Sequence, residues 1–77
     1  MENIMAARNY TLVIDLTTLT PELRSDMATT LIGAAKPHNI PTYWGTGAVL
    51  AQIDTGLAEH REFATQISAA GLKTHLR

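Results

Sequence analysis

The rhythm of apolar and polar positions changes several times along the chain, and each change marks an element. Residues 10–16, Tyr-Thr-Leu-Val-Ile-Asp-Leu, are apolar on both sides of a two-residue alternation apart from Thr11 and Asp15, which predicts a central strand. Tyr10, Leu12, Ile14 and Leu16 share one face; Thr11, Val13 and Asp15 share the other. Thr17, Thr18 and Leu19 then form a hydroxyl-rich loop, and Thr20, Pro21 and Glu22 are a helix start: cap, first-turn proline and an acid at the positive end. The period lengthens to three and four through Leu23, Met27, Thr30, Leu31 and Ala34, the expected inward stripe of an amphipathic helix. Gly33 inside it costs about 1 kcal/mol against alanine, which implies a close packing contact. The helix stops near Ala35 or Lys36, before Pro37 and a turn at His38 and Asn39.

Residues 40–44 and 48–54 are extended runs around Gly45-Thr46-Gly47, a hairpin whose glycines supply positive φ. Pro41 cannot donate to a ladder and places the first arm at a sheet edge. A second helix starts near Thr55, with Asp54 or Thr55 as cap, and carries Leu57, His60, Phe63, Ala64, Ile67 and Ala70 on one side. Gly71 is its left-handed stop, and residues 72–76 alternate as a closing edge strand. Strand, helix, strand, strand, helix, strand is the order of an α+β ferredoxin-like βαββαβ sandwich, with a four-stranded antiparallel sheet and both helices on one face. The halves rhyme: Val13-Ile14-Asp15 precedes one helix and Gln52-Ile53-Asp54 the other, which predicts both aspartates at matching ends of the central strands.

Composition narrows the function classes. A chain of 77 residues, 45% apolar and 17% charged, makes one globular domain over residues 10–77 after a loose arm over residues 1–9. Its core is thin, and self-association is one way to add buried surface. No cysteine is present, so disulfides, thiolate metal sites and a cysteine nucleophile are excluded. This fits a reducing compartment, with the cytoplasm as the expected location. The net charge of −1 and scattered basic residues disfavour nucleic-acid binding, and no apolar run approaches a membrane span.

Candidate chemistry is sparse. Asp15 and Asp54 side by side would suit a divalent cation or an acid–base pair, although strand termination and capping account for each. His38, His60 and His75 have no metal-ligand spacing; His60, on an apolar helix face, reads as a core residue whose nitrogen finds a hydrogen bond. Ser25 and Ser68 lack a telling base, so neither an enzyme nor a cofactor is expected. What remains is surface. Thr11, Val13, Tyr43, Leu50 and Gln52 line the uncovered sheet side, and Tyr43 and Trp44 stand on an exposed edge arm. The expected function is a protein-interaction module, homodimeric through the face of Thr11, Val13, Tyr43, Leu50 and Gln52, that regulates or inhibits a larger protein through this open face or the Tyr43–Trp44 edge.

The element order, the run Gly47-Ala48-Val49-Leu50-Ala51-Gln52-Ile53-Asp54 and the later Ala69-Ala70-Gly71-Leu72-Lys73-Thr74 resemble an ACT domain, the small amino-acid-sensing module of metabolic regulators. The likeness spans roughly residues 10–76 at the level of pattern. It implies a ligand held between the first strand–helix loop and a neighbouring subunit. Thr17, Thr18 and Thr20, with His38 and Asn39, would then bind a small amino acid or anion.

Overall fold

Alternation and helical periodicity become, in a computed structural model that describes residues 9–77, four strands and two long helices. They are β1 (Asn9–Asp15), α1 (Pro21–Ala35), β2 (Thr42–Gly45), β3 (Ala48–Asp54), α2 (Ala58–Ala69) and β4 (Lys73–Leu76), with a 3-10 turn at Lys36–His38 after α1. The arm expected over residues 1–9 lies outside the described residues apart from Asn9, which already belongs to β1. The strands form one sheet in the order β2-β3-β1-β4, with every neighbouring pair antiparallel. Pro41 precedes the edge strand β2, where its missing N–H costs nothing; its carbonyl still accepts from Gln52 N–H at 2.9 Å.

The hydrophobic cluster shows which side is covered. Leu12 and Ile14 of β1 lie opposite Ala51 and Val49 of β3, and all four join Ala28, Leu31 and Ala35 of α1 and Phe63 and Ile67 of α2 in one core. Both helices therefore cover the same sheet face. α1 lies over β2 and β3; α2 reaches from β3 to β4.

Local signals set the ends of the elements. Thr20 Oγ1 accepts from Leu23 N–H at 3.4 Å, with Pro21 in the first turn of α1. Gly71, at φ +87°, ends α2 in the left-handed conformation. The hairpin departs in one detail: its turn takes positive φ at Thr46 (50°) and Gly47 (84°), while Gly45 is the last residue of β2. That is the two-residue turn that twists with the strands, and it forces a β-branched residue into a conformation costing about 1 kcal/mol.

The rotation of α1 corrects the expected stripe. Ala28, Leu31 and Ala35 are buried, whereas Leu23 is 53% exposed and Thr30 and Ala34 face solvent. Alanine and threonine are spread around this helix, so polarity alone leaves its orientation open. Arg24 supplies an anchor: its Nε donates to Leu16 O (3.2 Å) and Leu19 O (2.9 Å), and another guanidinium nitrogen to Thr17 O (3.0 Å). Gly33 is exposed, and a Cβ added there would meet nothing within 4 Å, so the packing contact expected at this position is absent. In α2, His60, Phe63 and Ile67 are buried as expected, but Leu57 and Ala70 are exposed at its ends. The residue before α2 is Leu57, which offers no side-chain cap; Asp54 and Thr55 lie too early to cap it.

Candidate functional site

The sheet face away from the helices is bare among the described residues, and the register says what stands on it. Tyr43 lies opposite Leu50, Leu50 opposite Val13, and Val13 opposite His75, so one row crosses all four strands. A flanking row contains Gln52 and Thr11, whose hydroxyl donates to Gln52 Oε1 at 3.3 Å. Tyr43 is 68% exposed, Leu50 half-buried and Val13 buried. The centre is apolar and its rim polar, as in many protein interfaces.

Trp44 does not belong to this patch. Strand alternation turns it to the helix-covered face, opposite Val49, where it is 38% exposed. Tyr43 and Trp44 are adjacent in sequence but point to opposite sides of the sheet, so a flat partner cannot engage both.

The two aspartates are far apart. β1 and β3 are antiparallel, which puts Asp15 opposite Ala48 and Asp54 opposite Asn9, six positions or about 20 Å away along the strands. The matching-ends expectation is thereby corrected: equivalent positions in the two halves are brought to opposite ends of the sheet. Each aspartate shapes its own turn instead. Asp15 Oδ1 accepts from Thr17 N–H at 2.8 Å and from Thr17 Oγ1 at 2.6 Å; Asp54 Oδ1 accepts from Gly56 N–H at 2.8 Å. The rhyme extends to the helices, where Arg61 donates to Thr55 O at 2.6 Å much as Arg24 holds the earlier loop.

The Thr17 hydroxyl and amide hold the Asp15 carboxyl below its ordinary range, with Lys73 and His75 adding to the effect. A lowered folded pKa stabilises the fold above the ordinary carboxylate pKa, and that contribution is lost as pH falls through the lowered value. Asp15→Asn should therefore be less stable than wild type near neutrality, with the gap narrowing between about pH 5 and pH 2. Thermal melts across that range check it; a gap independent of pH would contradict the assignment.

The residues implied by the ACT resemblance fall into two groups at opposite ends of α1, about 22 Å apart. Thr17 and Thr20 use their hydroxyls on Asp15 and on the helix start, while Arg24 covers Thr17 O. Thr18 is exposed in the same loop. At the other end Asn39 takes φ 57° to close the 3-10 turn, and His38 Nδ1 lies 3.3 Å from Glu59 Oε1. One ligand could join both groups only across two copies.

His60 is 5% exposed, and both its nitrogens are engaged. Nδ1 accepts from Asp54 N–H and Nε2 donates to His38 O, each at 3.0 Å, so the ring is the neutral Nε2–H tautomer. It ties the end of β3 to the turn after α1. Its burial was legible from the helix face, whereas its two partners and the Arg24 clamp needed tertiary coordinates.

Among the described residues, no group of three or more histidine or acidic side chains gathers to hold a metal, and no helix is long and apolar enough to cross a membrane. A shallow groove of about 530 Å³ runs between α2 and β4, lined by Leu12, Ala64, Thr65, Ser68, Thr74 and Leu76 with His75 at its margin. No protein-family model, curated protein or solved structure matches the chain.

Proposed function

We propose that this chain is a non-enzymatic interaction module of ferredoxin-like architecture that pairs with a second copy through its open sheet face. The strand order β2-β3-β1-β4, antiparallel throughout, with a helix in each crossover, supports the architecture. The observation that carries the function is the row Tyr43, Leu50, Val13, His75 on a face no described residue covers. A two-fold axis near Leu50 would set apolar centre on apolar centre and leave Thr11 and Gln52 at the rim. The thin core of a short chain gives such pairing an energetic role, since it withdraws Tyr43 and Leu50 from water. A regulator or inhibitor of a larger protein would present the same face to its target.

Light scattering at increasing concentration should show twice the chain mass for wild type and a single chain for Leu50→Arg, with circular dichroism unchanged. A monomeric wild type at millimolar concentration would overturn the self-pairing.

A further inference from the structure

The outer edge of β4 combines three features, and no described strand or ion pair takes up any of them. The Thr11–Arg77 pair exchanges both backbone hydrogen bonds, at 3.0 Å each, which fixes the phase of the β1–β4 ladder. Lys73, His75 and Arg77 therefore bond inward to β1, and Thr74 and Leu76 turn their N–H and C=O groups outward. No described strand meets them. On the open face the same alternation aligns Lys73, His75 and Arg77, all exposed and none in an ion pair among the described residues. Asp15 lies opposite Lys73 and feels the charges of Lys73 and His75, but its Oδ1 is held by Thr17 and no ion pair forms between them. On the helix face the edge opens into the groove beside α2, floored by Leu12, Ala64 and Leu76.

We propose that β4 takes up an extended acidic peptide as a fifth strand, its carboxylates set against Lys73, His75 and Arg77 and its alternate apolar side chains in the groove. Residues two apart on a strand repeat every ~6.8 Å, so an alternating acidic–apolar segment matches the row flanked by the Lys73 and Arg77 cations and the groove together. A phosphodiester backbone offers acceptors only and would leave the outward C=O groups of Thr74 and Leu76 without donors. A second copy paired antiparallel about His75 would set Lys73 against Arg77 of the other copy, and like charges directly opposite are unfavourable.

The test is fluorescence anisotropy of the full chain with a labelled peptide alternating glutamate and valine, beside a lysine–valine peptide and a single-stranded deoxythymidine oligomer. The glutamate peptide should bind about tenfold or more tightly than either comparator. Lys73→Glu combined with Arg77→Glu should weaken it by about the same factor, as should Thr74→Pro, which deletes an outward donor. Circular dichroism verifies folding of both variants, and the double charge reversal lies wholly on exposed side chains. Leu50→Arg, which tests the open face, should retain the peptide, so failure of one proposal is distinguishable from failure of the other. Equal binding by the lysine peptide or the oligomer overturns the inference. So does unchanged affinity in the folded variants, or a dimer that Lys73→Glu strengthens.

Discussion

His60→Leu should lower stability by about 3 kcal/mol, because it keeps the side-chain bulk and strands two backbone groups at once. The Asp54 N–H loses its acceptor and the His38 carbonyl its donor; both bonds are partly buried, made by a His60 that is itself 5% exposed. An unsatisfied polar group shielded from water costs about 1–3 kcal/mol, and two partly shielded ones together exceed what leucine gains in hydrophobicity. For a chain of this length the melting temperature should fall by on the order of 10–20 °C. The substitution also removes the side-chain bridge between the end of β3 and the turn after α1. His60→Asn, whose amide oxygen can stand near the Nδ1 position, should recover the Asp54 bond and about half of the loss. Equal stability of the leucine and asparagine variants would show that packing, not hydrogen bonding, governs the site.

The second large effect is expected at the hairpin tip. Gly47 sits at φ +84°, and a Cβ added there would lie 2.8 Å from Thr17 Cγ2, while its carbonyl accepts from Leu16 N–H at 2.9 Å. Gly47→Ala should cost about 2–3 kcal/mol, of which about 1 kcal/mol is the left-handed backbone and the rest the collision. Thr17 cannot turn aside freely, since its Oγ1 donates to Asp15 at 2.6 Å in the present rotamer. A double-mutant cycle separates the two parts. Thr17→Ser keeps the hydroxyl and removes the methyl, so Gly47→Ala should cost about 1 kcal/mol less in the serine background. Simple additivity of the two changes would dismiss the collision and leave backbone strain as the whole effect.

Both sites show how much was legible beforehand. The helix face carrying His60, Phe63 and Ile67 follows from a 3.6-residue period, and the burial of His60 with it. The Gly45-Thr46-Gly47 turn, the Thr20 cap and the Gly71 stop are local chemistry, readable because the signals lie within a few residues of the effect. Where the stripe failed, in α1, the segregation of apolar residues was weak, and a tie from Arg24 back to the carbonyls of the preceding loop bears on the helix setting. Tyr43 and Trp44 are parted for a simpler reason: neighbours on a strand point to opposite faces.

The amino-acid order by itself determined the sequence of elements, their approximate ends, the alternating faces of β1 and β3 and the absence of thiol chemistry. Only the tertiary structure decided that Asp15 and Asp54 stand at opposite ends of the sheet, that Tyr43, Leu50, Val13 and His75 form one row, and that no described strand pairs with the outer edge of β4. Periodicity reports which side of an element is apolar, because burial acts residue by residue along the chain. Strand direction and register depend on pairings between residues distant in sequence, and those are set by closing loops and packing two helices over one shared face.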